Sequence, residues 1–273
     1  GQTFDDLWGL KNINAESAWD VSQGENVLVA VIDTGVDYNH EDISSNIWTN
    51  TKEIPNNHKD DDGNGYKDDV RGWDFINNDN DPIDDFGHGT HCAGTIAAIG
   101  DNNIGIIGVA PKAKILPIKG LDAEGSGSIS VLAKCVYYAA NNGAKITSNS
   151  WGGEGSSQAL TDAFNYAKSK GLINIAAAGN SNSNTKDFSP ANITSVIAVA
   201  ATDKDNKKAS FSNFGKTVAV AAPGVNILSL RGKDTWLSDS RYAMYFVPPN
   251  DPDAKYFQGN GTSFACPHVA GLA

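Results

Sequence analysis

Five short runs of this chain are almost wholly apolar: VLVAVID (27–33), KILPIK (114–119), LINIAAA (172–178), SVIAVAA (195–201) and TVAVAA (217–222). Continuous apolar runs of this length fit strands buried on both faces, which occur in parallel sheets. KITSNS (145–150) reads as a further strand. Between the strands lie helical patterns. Residues 89–99 are rich in small side chains and read as a buried helix. Leu132, Val136 and Ala140 recur at four-residue spacing before Gly143, and Leu160, Phe164 and Ala167 mark another helix that ends near Gly171. Strands that alternate with helices predict an α/β fold, a doubly wound, mostly parallel sheet with helices on both faces. No linker and no repeat breaks the pattern, so residues 1–273 are expected to form one domain.

In such sheets, sites gather beyond the carboxyl ends of the strands. Asp33 (VIDTGVD) and Asn180 (AAAGNS) follow strands, whereas His88 (FGHGTHCAG) and Ser263 (GTSFACPHVAG) precede helices. An acid, a base and a nucleophile thus converge on one edge. A serine hydroxyl becomes a nucleophile when an imidazole takes its proton, and a carboxylate fixes the imidazole's tautomer. Taken singly, Ser263 reads as a helix cap and Asn180 as turn chemistry. Together, the four read as a hydrolytic site.

Composition narrows the alternatives. The net charge of −11, from 21 basic and 32 acidic residues, opposes nucleic-acid binding, which needs cations against phosphates. No apolar run reaches the roughly 20 residues of a membrane span. Cys92, Cys135 and Cys266 are an odd number without metal spacing, and Cys92 and Cys266, among small residues, read as buried thiols. His88 and His91 lack the i, i+4 spacing of a zinc-protease helix. Ten Asp and no Glu lie between Asp60 and Asp85. Short carboxylates packed with Gly and Asn suggest loops folded around a cation. Asp60, Asp62 and Asn64 match the opening of an EF-hand loop, but Arg71 stands where its bidentate Glu belongs. Asp68 or Asp69 is expected to supply the missing oxygen.

The motifs DTG, HGTH and GTSxAxPHVAG, in this order, resemble those of the subtilisin-like serine proteases (subtilases), nearest the thermitase and bacterial calcium-dependent branch. The resemblance runs from about Asp5 to the last residue. It implies a serine endopeptidase that acts through an acyl-enzyme. Asp33 would orient the imidazole, His88 serve as base then acid, Ser263 attack, and Asn180 hold the oxyanion. It also implies that extended polypeptide binds as an added strand between Leu121-Asp122-Ala123-Glu124-Gly125-Ser126 and Ser150-Trp151-Gly152-Gly153. Trp151 stands where an aliphatic residue is usual. The pocket before the cut bond is expected among 150–153, 177–180 and the loop near Phe188, with Asp187 the candidate carboxylate. Apolar or aromatic residues are the expected preference. His268 resembles a scaffold position.

Two calcium sites follow from the same resemblance. One takes Gln2, Asp42, Gly100, Asn102, Ile104 and Ile106; the other takes Asp74, Asn77, Asp79, Asp81 and Ile83, with Asn77 replacing an acid. Calcium is therefore the expected cofactor. A secreted or cell-surface monomer is expected, with a pro-segment or protein inhibitor as the other partners the resemblance admits. The chain reads as truncated shortly after the nucleophile helix begins. The segment near 231–258 exceeds the family's usual spacing and is a candidate wall on the leaving-group side. The competing class is a non-catalytic pseudo-protease that binds peptide or calcium.

Overall fold

The computed structural model describes residues 4–235, the backbone of 246–247, and residues 254–273. In chain order the first strands are β1 (Leu28–Asp33), β2 (Trp73–Asp74), β3 (Lys114–Lys119), β4 (Ile146–Asn149), β5 (Gly153–Glu154) and β6 (Ile173–Ala177). They are followed by β7 (Phe188–Ser189), β8 (Val196–Thr202), β9 (Val218–Pro223), β10 (Ile227–Leu230), β11 (Phe246–Val247) and β12 (Tyr256–Gly259). The helices are α1 (Trp8–Asn12), α2 (Ala15–Trp19), α3 (His88–Ala97), α4 (Ile129–Asn141), α5 (Gln158–Ser169) and α6 (Thr262–Leu272).

A seven-stranded sheet runs β2-β3-β1-β4-β6-β8-β9, and every neighbouring pair is parallel. Side chains of a strand alternate between faces. In β1, Val29 and Val31 therefore enter one core with Cys92 of α3 and Phe264 of α6. Ala30 and Ile32 enter the other, with Val136 of α4 and Phe164 of α5. Helices thus cover both faces, as the apolar runs require. Ser128 and Ser157 cap α4 and α5 by accepting from the N–H groups of Val131 and Leu160.

The outermost strand departs from expectation. Residues 219–221 of β9 are exposed, because an edge strand has a neighbour on one side only and less cover on its faces. The short strands β10, β11 and β12 form a separate antiparallel sheet that the apolar pattern did not announce. Most of the long segment near 231–258 lies outside the described residues. The topology places β1, β4 and β6 side by side in the middle of the large sheet, so their carboxyl ends bring Asp33, Ser150 and the 178–180 turn to one rim.

Candidate active site

Asp33 ends β1 with its side chain wholly buried, and His88 opens α3 with its side chain 14% exposed. Asp33 Oδ1 accepts from the Thr34 N–H at 2.8 Å and lies 2.7 Å from His88 Nδ1. The helix can come this close because residue 89 is glycine. A Cβ there would sit 2.0 Å from the Gly35 carbonyl oxygen. Asp33 Oδ2 is buried without a hydrogen-bond partner, so the carboxylate's charge is compensated chiefly by the imidazole.

Burial works against a charged His88. The Asp33 carboxylate, by its charge and its hydrogen bond, outweighs it, and the imidazole titrates well above its usual 6.5. The folded-state pKa is raised, so this pairing stabilises the fold most at low pH and is lost as pH rises through the folded value. Proton uptake from Ser263 needs the neutral ring. Activity should therefore move the opposite way. In a pH profile of kcat/KM, the acid limb should have a midpoint above 6.5, with about a tenfold fall per pH unit below it. A midpoint at or below 6.5 would contradict the Asp33–His88 pairing.

Ser263 sits in the first turn of α6, where backbone N–H groups have no intrahelical acceptor. Pro267 lies four residues on and lacks an N–H, so the Ser263 carbonyl loses its helical partner. Two other elements take that oxygen: Ser150 Oγ donates to it at 2.7 Å and Cys92 Sγ at 3.4 Å. The helix-breaking residue thus lets α3 and the residue that follows β4 dock on the nucleophile's own peptide. Ser263 Oγ donates to the Ser150 carbonyl at 3.0 Å.

Asn180 follows β6. Its Oδ1 accepts from the Thr262 N–H at 2.8 Å and from Thr262 Oγ1 at 2.9 Å. With the oxygen committed twice, Nδ2 is the end left to donate. The turn that carries it rests on buried Asn213. Asn213 Nδ2 donates to the Ala178 carbonyl at 2.9 Å, and its Oδ1 accepts from the N–H groups of Ser181 and Ser183, each at 2.9 Å. Gly179 takes φ +101°, and a Cβ there would meet Asn213 Nδ2 at 2.4 Å. Thr262 belongs to the motif around Ser263, whereas Asn213 was not singled out from the sequence. A polar residue buried by a distant loop carries no periodic signal.

His88, Asn180 and Ser263 line one cavity of about 530 Å³. Leu121, Gly125, Ser150, Trp151, Gly152 and Gly153 line it too. A neighbouring recess of about 290 Å³ adds Ser126 and Gly127 and shares Trp151. The Trp151 indole is fixed by donating to the Ile32 carbonyl at 2.9 Å and by stacking near Phe164. Three expected wall residues lie elsewhere. Asp122, Ala123 and Glu124 form a tight turn in which Asp122 Oδ1 accepts from the N–H groups of Glu124 and Ser126; they line neither space. Asp187 does not line the cavity either, because β7 begins after it and turns Phe188 and Ser189 to the site; the carboxylate on the lining is Glu154.

His91 and His268 are scaffold. Burial pushes His91 down to about 3 and His268 to about 4, so both are neutral. His91 Nε2 meets the Ile227 carbonyl, and His268 Nδ1 the Phe264 carbonyl. Burial raises the thiols of Cys92, Cys135 and Cys266, and all three cysteines are free.

Among the candidate calcium ligands, Gln2 lies outside the described residues. Asp42 is buried, with Asn102 Nδ2 on Oδ1 at 2.6 Å and the Ile106 N–H on Oδ2 at 2.9 Å. The Tyr256 hydroxyl also reaches that oxygen at 3.3 Å. In the second group, Asp74 Oδ1 accepts from the N–H groups of Ile76 and Asn77, and Asn77 Nδ2 donates to Oδ2. Asp79 Oδ1 accepts from the Asp81 N–H, and the Tyr38 hydroxyl donates to Asp81.

The Asp-rich loop differs from expectation. Asp60 and Asp62 converge with Glu53, their carboxylate oxygens within 4.8 Å of one another. Asp68 and Asp69 are not among the converging oxygens; like Glu53, Asp60 and Asp62, they accept hydrogen bonds inside the loop. Asp68 accepts from the N–H groups of Asn57 and His58, and buried Asp69 from Asn50, Asn64 and Tyr138. Glu53 was missed because it stands seven residues before Asp60, outside any loop motif.

Comparison with known proteins gives one consistent result. The profile of the Peptidase_S8 family, described as the subtilase family, matches residues 24–273. Thermitase of Thermoactinomyces vulgaris is 40% identical over 266 residues, which cover 97% of this chain and 80% of thermitase. A thermophilic serine proteinase of a Bacillus species is 40% identical over 267 residues, 97% of this chain but 56% of its own. Among solved structures, a protease from Pseudoalteromonas arctica aligns with a TM-score of 0.76 at 33% identity, covering 98% of this chain and 84% of the other. A cold-adapted subtilisin-like serine proteinase aligns with a TM-score of 0.70 at 32% identity, covering 92% of this chain and 75% of the other.

Proposed function

The chain belongs to the subtilase family of serine proteases, and from that premise we propose that it is an endopeptidase whose triad is Asp33, His88 and Ser263. Residues 1–273 are taken as one peptidase domain. The observation that carries the reading is the 2.7 Å contact of His88 Nδ1 with buried Asp33, in a cavity that Ser263 and Asn180 also line. Asp33 holds the imidazole with Nε2 free to accept. His88 takes the Ser263 Oγ proton as that oxygen attacks the scissile carbonyl, then returns the proton to the leaving amine. Negative charge that develops on the carbonyl oxygen falls between Asn180 Nδ2 and the Ser263 N–H. Water enters in the second half, with His88 again as base, and releases the acyl group.

Before the substrate arrives, Ser263 Oγ is held by the Ser150 carbonyl; such sites commonly tighten only in the substrate complex. Gly125, Ser126, Gly127 and Ser150–Gly153 offer a backbone-lined edge to an extended polypeptide. Phe188 and Trp151 favour an apolar or aromatic residue before the cut. Glu154, on a strand edge and exposed, lets a basic residue remain a measurable minority. Labelling by a fluorophosphonate that is lost in Ser263→Ala tests the reading; a folded protein that takes up no label would instead be a pseudo-protease. Among the described residues no helix is long and apolar enough to cross a membrane. Similarity to a relative named as an extracellular protease supports a secreted or cell-surface setting. A pro-segment or protein inhibitor could use the same peptide edge.

Calcium suits the donor chemistry. The convergent oxygens of Glu53, Asp60 and Asp62 are hard anionic ligands with no sulfur or imidazole among them. Asp42 with Asn102 and the carbonyls of Gly100, Ile104 and Ile106, and Asp74 with Asp79, Asp81 and Ile83, would make two further oxygen-rich loops. Bound calcium would neutralise these carboxylates and pin the loops, with no part in the chemical steps. A site held at a hundred times its Kd adds about 2.7 kcal/mol. Chelation should then lower the Tm by roughly 5–10 °C. Glu53→Gln should shrink that difference, and an unchanged melt after chelation would remove calcium from the account.

A further inference from the structure

Lys119 ends β3 with its side chain 1% exposed. A lysine is buried this completely only when its ammonium is paired. An ammonium has three N–H donors, and Lys119 Nζ has three acceptors: the Thr34 carbonyl at 2.8 Å, the Leu121 carbonyl at 2.9 Å and Asp85 Oδ1 at 2.6 Å. These belong to three different parts of the site. Thr34 follows Asp33 at the end of β1. Asp85 stands in the turn that leads to His88. Leu121 lines the cavity and opens the segment whose far end, Gly125, lines it too. Thr34 is held a second time, since its Oγ1 donates to buried Asp84 at 2.8 Å, and Asp84 also accepts from the N–H groups of Phe86, Gly87 and Thr90.

One buried cation therefore joins the carboxylate strand, the turn before the imidazole and the peptide-binding wall. We propose that Lys119 is a positioning residue that registers Leu121, Gly125 and Ser126 of the cavity wall, and any polypeptide laid along them, against the acid–base end of the site. The proposal rests on the protease reading above. Lys119 touches neither the peptide nor the reacting atoms. Its effect runs through Leu121: gripping that carbonyl sets where the Asp122–Ser126 turn begins, and so where Gly125 and Ser126 meet the substrate. A peptide that spans several residues before the cut uses this wall, whereas a single-residue ester does not.

Lys119→Met keeps most of the volume and removes the donors; Asp85→Asn weakens the brace from its solvent side, where Asp85 is 42% exposed. Each variant is compared with the parent on a chromogenic peptide with four residues before the cut and on N-acetyl-tyrosine ethyl ester. In Lys119→Met, KM for the long peptide should rise about tenfold, while kcat/KM for the ester stays within about twofold. Asp85→Asn should move the same ratio in the same direction by less. A residue of purely structural importance would lower Tm and leave the ratio of the two substrates alone. Equal losses on both substrates, or no change of the ratio in either variant, would overturn the proposal. If Lys119→Met does not fold, the ratio in Asp85→Asn decides. Failure of the protease reading is separable, since the parent protein would then take no fluorophosphonate label.

Discussion

Ser263→Ala is expected to lower kcat by about a millionfold, a size known from subtilisin, a member of this family, and not calculated from the present geometry. The physical basis is the removal of the hydroxyl proposed to form the acyl bond. His88 and Asp33 then have no proton to move, and the residual rate comes from binding and the oxyanion donors alone. The fold should survive. The Ser263 hydroxyl makes one hydrogen bond, to the Ser150 carbonyl, and one neutral bond contributes about 1 kcal/mol. The Ser263 peptide keeps its own anchors, since Ser150 Oγ and Cys92 Sγ bind the carbonyl and not the side chain. A near-native melt with no fluorophosphonate label and no turnover is the expected result. A kcat within a hundredfold of the parent would show that another residue is the nucleophile.

Asn180→Ala should cost about a hundred- to a thousandfold in kcat, with KM changed little, because the lost donor acts on charge that exists only in the transition state. That magnitude, too, comes from subtilisin. Here the geometry adds a complication. Asn180 Oδ1 accepts both the Thr262 N–H and Thr262 Oγ1, so alanine also leaves two partly buried donors unpaired at the start of α6. Stability should fall by about 1–3 kcal/mol. Asn180→Asp separates the two effects. It keeps the acceptor for Thr262, removes the donor, and places a negative charge beside the developing oxyanion. Its kcat should fall at least as far as in the alanine variant while its Tm stays closer to the parent. If Asn180→Asp retains normal turnover, the oxyanion reading of this amide is wrong.

The candidate site was legible to the extent that its chemistry is local in sequence. Asp33, His88, Asn180 and Ser263 each sit in a short glycine-flanked stretch, and the apolar or small-residue runs read beside Asp33, His88 and Asn180 form elements within two residues of their expected ends. Substrate and cation residues were less legible. Asp122–Glu124 were assigned to the wall by resemblance, but their own side-chain-to-backbone bonds fold them into a turn. Asn213 and Lys119 carried no motif, because each draws its meaning from partners far along the chain, and Glu53 stands outside the Asp-rich loop it joins.

By itself the sequence determined six of the seven strands of the large sheet, the helices α3, α4 and α5, and which residues are candidates for the reacting groups, since burial on two faces and a glycine-flanked turn are properties of a few adjacent residues. Only the tertiary structure decided which strands stand side by side, which carbonyl Pro267 releases to Ser150 and Cys92, which carboxylate completes the acidic cluster, and where a lysine is buried whole. Those outcomes depend on hydrogen-bond partners chosen in three dimensions. Neither periodicity nor composition encodes that choice, because a buried donor takes whichever acceptor the packed elements bring within 3 Å or so.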